Sequence, residues 1–245
     1  MTKLLAILFG AVTLGLAGSA LAVTGGTADN GAHPYAAAVF GDHVLCSGVF
    51  LSPTVVVTAA HCFADGETAQ VTFGTVTHPG AVFTTSAPTY SGTVSVDPAF
   101  CFGCAKGIPG ADTGDIAVVV LSSAAPVSRV AQLAPVGTTD AFNSSQKIDI
   151  VGYGISNAKT GAFGTAQTAT TKLDNAGVLG GEFLKLQAGP GACEGDSGGP
   201  DLVAGTDVVV GITTFANGNP HCNGNSYSER LDTASAQSFL SSFLQ

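Results

Sequence analysis

Charge is what this chain has least of. Only 10% of its 245 residues are Asp, Glu, Lys or Arg, and 8 basic residues stand against 17 acidic ones, a net charge of −9. That balance argues against nucleic acid as a partner, because such binding rests on basic side chains that neutralise phosphates. Long apolar runs are also scarce. Beyond the first 22 residues no segment could span a bilayer, so no membrane partner is expected. Metal-ligand spacing is lacking too: Cys101-Phe102-Gly103-Cys104 is the single C-x-x-C, without a second pair or nearby histidines. Neither a metal nor a cofactor is expected, and there is no strong internal repeat.

What the chain does contain is glycine, 33 residues, and a hydrophobic fraction of 45% concentrated in short Val-rich runs between Gly, Pro, Ser and Thr clusters. That texture predicts an all-β fold. Strands are expected at Ala36 to Phe40, Val49 to Leu51, Val55 to Thr58, Val71 to Val76, Val94 to Val96 and Ile116 to Leu121. Further strands are expected at Ile148 to Tyr153, Phe183 to Leu186 and Val208 to Phe215. The Ser/Ala/Pro stretch Ser122 to Ser128 divides the two groups. Near the end, Asp232 or Thr233 can cap a helix whose Phe239, Leu240, Phe243 and Leu244 share a face. The sequon Asn143-Ser144-Ser145 is a glycan acceptor only in a glycosylating host.

Residues 1–22 read as an export signal: Lys3, an apolar stretch from Leu4 to Leu16, then Ala20-Leu21-Ala22 as a small-x-small cleavage site. A membrane anchor is the alternative, opposed by Gly10, Gly15, Gly18 and Ser19 within the run and by the absence of a following positive cluster. Removal of Lys3 would leave 7 basic residues against 17 acidic ones, a charge of −10. All six cysteines, Cys46, Cys62, Cys101, Cys104, Cys193 and Cys222, follow residue 22, and an even count in an exported chain suggests three disulfides. The surface chemistry suits a secreted, extracellular protein.

Three segments carry chemistry. Thr58-Ala59-Ala60-His61-Cys62 closes an apolar strand with a histidine beside a cysteine. Asp115 stands where a loop enters the apolar run Ile116 to Leu121, so a carboxylate at that position needs donors if it is buried. In Cys193-Glu194-Gly195-Asp196-Ser197-Gly198-Gly199-Pro200, glycines flank a serine closely enough for a sharp turn to aim amide hydrogens at one point, as an oxyanion site requires. Singly, His61 and Asp115 are weak signals.

Together and in this order, the three segments resemble the signature regions of chymotrypsin-like serine proteases. Val23-Thr24-Gly25-Gly26, Ile150-Val151-Gly152-Tyr153-Gly154 and Val210-Gly211-Ile212-Thr213-Thr214-Phe215 extend the resemblance through most of the chain after residue 22. It implies two six-stranded antiparallel β-barrels with a short C-terminal helix and the active site in the cleft between them. The barrels would occupy about 23–125 and about 126–245. It implies Ser197 as nucleophile, His61 as its base, Asp115 as the group orienting His61, and the amides of Gly195 and Ser197 as oxyanion hole. It further implies disulfides Cys46–Cys62 and Cys193–Cys222, which leaves Cys101 and Cys104 to each other. A new Val23 amine, made by cleavage after Ala22, is expected to pair with Asp196 with no propeptide between.

The same resemblance places Thr214, Phe215 and Ala216 beside the substrate backbone, and the specificity pocket at Gly191, Ala192, Ala216 and Asn225. No acid stands among these to meet a buried Arg or Lys. A secreted endopeptidase cleaving protein or peptide substrates after an uncharged residue is the expectation. It would be monomeric, with proteinaceous protease inhibitors as further partners. Two alternatives are the α/β-hydrolase nucleophile elbow, against which chain order argues because 48 residues follow Ser197, and a catalytically silent homologue acting as a binding or inhibitory protein.

Overall fold

The computed structural model describes residues 23–104, 113–157, 159–179, 181–218 and 222–244. The expected export signal lies outside the described residues. The leading strand β1 (Thr27–Ala28) is short. Six strands follow that close on themselves: β2 (Ala36–Phe40), β3 (Leu45–Ser52), β4 (Val55–Thr58), β5 (Thr68–Thr72), β6 (Tyr90–Val96) and β7 (Ala117–Leu121), in the order β2-β3-β4-β7-β6-β5. The Val-rich segments pair with one another, Val55–Val57 of β4 against Val118–Val120 of β7. Residues buried on both faces explain why these strands read as continuous apolar runs.

Past the Ser122 to Ser128 stretch, β8 (Gln132–Leu133) precedes β9 (Lys147–Gly152), β10 (Gln167–Leu179), β11 (Phe183–Leu186), β12 (Pro200–Val203), β13 (Val208–Ala216) and β14 (Ser226–Arg230). The last six form a second closed antiparallel ring, because β9 pairs with both β10 and β12. A helix, α1 (Ala234–Ser241), ends the described chain. The fold is thus all-β, two six-stranded antiparallel barrels with one short helix, as expected. No helix among the described residues is long and apolar enough to cross a membrane.

Both chain ends cross over. Strand β1 pairs with β10, Thr27 opposite Thr168, so the first described residues lie on the second barrel rather than the first. At the other end, Leu240 and Ala236 of α1 join a buried cluster with Phe50, Val56 and Leu121 of the first barrel and Leu202 and Ile212 of the second. Thr233 caps the helix, its Oγ1 accepting the Ala236 N–H at 3.1 Å. Asp232, the other candidate cap, is instead fully buried and spent on the Thr139 N–H (2.6 Å) and the Arg230 guanidinium (2.9 Å).

Several expected strands are displaced or extended, among them Val94 to Val96, which begins at Tyr90, and two show clear local reasons. The run Val71 to Val76 ends as a strand at Thr72, whose Oγ1 accepts the Gly74 N–H (3.1 Å) and turns the chain. The run Val49 to Leu51 extends back to Leu45, since Cys46, Ser47 and Gly48 continue the register opposite Val39, Ala38 and Ala37. The polar strands β10 and β14, the four-residue β12 and the two-residue β1 and β8 carry no long apolar run and lie outside the expected strands.

Candidate active site

His61 sits on a single 3-10 turn, Ala60–Cys62, at the end of β4. Cys62 is disulfide-bonded to Cys46 on β3 with Cα atoms 6.5 Å apart, which ties the turn to the barrel wall. Asp115, at the entry to β7, has no exposed surface. Its Oδ1 accepts the backbone N–H of His61 at 2.8 Å and its Oδ2 lies 2.7 Å from His61 Nδ1. Held by main chain and ring together, the imidazole has Nδ1 committed to Asp115 and Nε2 on the opposite edge, with 27% of the side chain exposed. The Cys46 and Cys62 sulfurs also lie near His61, but both are spent in a disulfide, whereas metal ligation by cysteine requires a thiolate.

The serine segment forms a turn in which most polar backbone groups are committed. Asp196 is fully buried; its Oδ1 accepts the Gly154 N–H (2.8 Å) and its Oδ2 the Cys193 N–H (2.9 Å). A Cβ on Gly152 would lie 2.1 Å from Asp196 Oδ1, so only glycine leaves room for the carboxylate. The Ile155 N–H holds the Glu194 carbonyl at 2.7 Å, the Asp196 N–H returns to the Cys193 carbonyl (3.0 Å) and the Gly198 N–H reaches the Thr213 carbonyl (2.7 Å). Because the Glu194–Gly195 peptide is planar, pinning its carbonyl turns the Gly195 N–H the other way. Gly195 has a φ of 91°, open to glycine at little cost. Among the described residues, neither the Gly195 nor the Ser197 N–H has an acceptor.

Val23 is buried against Ile148, Ile150 and Leu186, and its backbone N–H is among the groups favouring an ionised Asp196. The next residue, Thr24, bridges to Gly191, whose N–H donates to the Thr24 carbonyl at 3.1 Å. The segment after residue 22 therefore packs directly behind the serine turn. The other two disulfides join Cys193 to Cys222, Cα atoms 5.3 Å apart, and Cys101 to Cys104.

Beside Ser197 lies a cavity of about 180 Å³ lined by Cys193, Glu194, Thr214, Phe215, Ala216 and Cys222. It is sized for one side chain, well below the roughly 300–1,000 Å³ of small-molecule sites. Phe215 stacks on Tyr227 (centroids 4.4 Å apart, 8° between planes) and meets Phe183 edge-on. Gly191, Ala192 and Asn225 are not among the lining residues. A Cβ on Gly191 would come 2.9 Å from Ser226 Oγ, which accepts the Ala192 N–H, while the Asn225 amide donates to the Leu186 carbonyl (2.8 Å). Ser226 is a polar neighbour of Gly191 and Ala192 that no motif announced. Thr214 Oγ1 accepts the Glu229 N–H (3.2 Å) and, among the described residues, makes no hydrogen bond to Asp115. A larger cavity, about 630 Å³, opens at the β2–β3 connection between Asp42, His43 and Glu67 and contains none of these residues.

Two antiparallel barrels, one carrying a histidine–aspartate pair and the other a glycine-flanked serine turn, define the class of trypsin-fold proteins. A family model described as Trypsin matches residues 22–234, and the chain belongs to this family of serine proteases. Proteases of this fold act on protein or peptide substrates.

Three buried acids in the second barrel were not foreseen as titrating groups. Burial pushes Asp196 up to about 7 against the pull of its N–H donors. Burial also pushes Asp201 up to about 8, with the neighbouring Ser228 hydroxyl acting against it and the Asp196 charge adding to it. Glu229 is likewise raised to about 8 by burial and then by the nearby Asp115 and Glu182 charges, with the Asp115 and Gly114 N–H groups acting in the opposite sense. An acid whose folded value exceeds its unfolded one adds stability that is complete below the unfolded value and lost as pH rises towards the folded one. For Asp201 that loss runs from about pH 4 to about pH 8. Asp201→Asn, neutral at every pH, is expected to match the wild type in denaturant unfolding at pH 4 and to exceed it at pH 8. An equal change at both pH values would contradict a neutral Asp201 in the fold.

Proposed function

We propose that this chain is a secreted serine endopeptidase that cleaves peptide bonds through an acyl-enzyme on Ser197. The observation that carries the reading is the double hold of the buried Asp115 carboxylate on His61, through Nδ1 and the backbone N–H. With Nδ1–H donated to Asp115, Nε2 is the basic nitrogen, able to take the Ser197 proton as its oxygen attacks the scissile carbonyl. The unspent N–H groups of Gly195 and Ser197 supply the donors that a developing oxyanion needs, each worth on the order of 3 kcal/mol in barrier. The proton then passes from Nε2 to the departing amine. Water attacks the ester in the second half, with the same residues in the same roles.

Thr214 to Ala216 offer a substrate strand an edge. One side of β13 pairs with β14, while β12 pairs on the other side only as far as Ile212. An extended peptide adds there by main-chain hydrogen bonds and drops one side chain into the adjacent cavity. That cavity is walled by Phe215, Ala216 and a disulfide, with Glu194 as the one acidic lining residue and itself exposed. An uncharged side chain suits it, since burying a cation without a partner is costly. Secretion is supported by the leader-like first 22 residues and by the pairing of all six cysteines. After cleavage before Val23, the new ammonium would arise against Asp196 and lower the cost of its buried charge.

Ser197→Ala is expected to abolish hydrolysis of a peptide library. Asp115→Asn is expected to lower kcat by about 10⁴, the effect known for the family's reference triad. The library should show cleavage after neutral residues; dominant cleavage after Arg or Lys would overturn the pocket assignment, and no turnover with any peptide would favour a binding protein. N-terminal sequencing of the exported active protein is expected to read Val23-Thr24-Gly25-Gly26. An active form beginning further upstream would contradict the amine's role.

A further inference from the structure

Ser47 lies on β3, one residue after Cys46, and is 1% exposed. A buried serine in an apolar strand needs both a donor and an acceptor for its hydroxyl, and Ser47 finds them on the second barrel. Its Oγ accepts the Tyr153 N–H at 2.9 Å and donates to the Gly195 carbonyl at 2.9 Å. Its main chain is engaged as well: the Ser47 N–H donates to the Ser197 carbonyl at 2.8 Å, and the Ser47 carbonyl accepts the Thr58 hydroxyl at 2.7 Å. Thr58 is the residue that begins the Thr58-Ala59-Ala60-His61 segment. One residue thus joins the serine turn of one barrel to the histidine segment of the other.

We propose that Ser47 is a positioning residue for the oxyanion turn, its hydroxyl fixing the orientation of Gly195 by holding that residue's carbonyl. The inference rests on the protease reading given above. Two peptide units set the direction of the Gly195 N–H. The Ile155 N–H grips the Glu194 carbonyl before it, and Ser47 Oγ grips the Gly195 carbonyl after it. At φ 91° and without a side chain, Gly195 has little of its own to resist rotation. Loss of the hydroxyl frees one side of this grip and leaves the Gly195 carbonyl and the Tyr153 N–H without their partner, a combination that favours a turned peptide. The Ser197 carbonyl, held by the Ser47 main chain, stays in place. The effect therefore falls on the oxyanion donor and not on the nucleophile.

The test is Ser47→Ala assayed with a peptide substrate, a peptide boronic acid that mimics the tetrahedral state, and a non-covalent peptide inhibitor. The expected result is kcat lowered roughly 10-fold or more with KM within about 2-fold, since the lost interaction belongs to the transition state. Boronic acid affinity should fall by the same factor while affinity for the non-covalent peptide holds. Wild-type kcat in a folded Ser47→Ala protein, or equal losses for both inhibitors, would overturn the proposal. Should the alanine variant not fold, the nearly isosteric pair Ser47→Thr and Ser47→Val reads the hydroxyl alone: Thr is expected to exceed Val in kcat by a similar factor, and equal values overturn the proposal. A wild-type protein that hydrolyses no peptide would refute the protease reading itself, a result distinct from any of these.

Discussion

A carboxylate with no exposed surface must find its donors inside the protein, and Asp115 finds two on one residue, the backbone N–H and the ring of His61. Much of the surrounding structure serves to keep that geometry. The disulfide from Cys62 to Cys46 anchors the histidine turn, and the apolar strand β7 anchors the aspartate. Glu229 stands behind the pair on the second barrel; its carboxyl is raised first by burial and then by the Asp115 charge it neighbours, so it can remain neutral beside Asp115. A second ionised acid there would repel the Asp115 carboxylate, whereas a neutral one does not.

The two barrels are held at this register by chain crossings as much as by their shared apolar contacts. The chain after residue 22 packs on the second barrel behind the serine turn, and the terminal helix closes over the first. Ser47 and Thr58 complete the junction with hydrogen bonds running from the serine turn to the histidine segment. Low surface charge and buried, neutral acids belong to the same design. Asp201 and Glu229 need no buried counter-ion as long as the medium keeps them protonated.

Strands β2, β4 and β11 are legible in the sequence residue for residue: burial on both faces makes β2 and the valines of β4 an apolar run, and β11 is apolar but for Lys185. The three signature segments are legible because their chemistry demands particular residue types in a particular order. Strand β10 is not, since its thirteen residues from Gln167 to Leu179 are largely polar and are fixed by pairing with β9 rather than by apolar periodicity. Strand β14 misleads more directly, for Ser228, Glu229 and Arg230 are buried where sequence reading would expose them. Arg230 is accommodated by Asp140 and Asp232, partners about 90 and 2 residues away in sequence. Ser47 left no signal at all, because its importance comes from what lies across the cleft.

Rapid mixing with a slowly deacylating p-nitrophenyl ester, followed by intact mass measurement, tests most directly whether the Asp115–His61 pair drives acylation of Ser197. A burst of one nitrophenolate per chain and a single acyl adduct mapped to Ser197 are expected, both strongly slowed in Asp115→Asn. A steady release without a burst, or an adduct on another residue, would contradict the account.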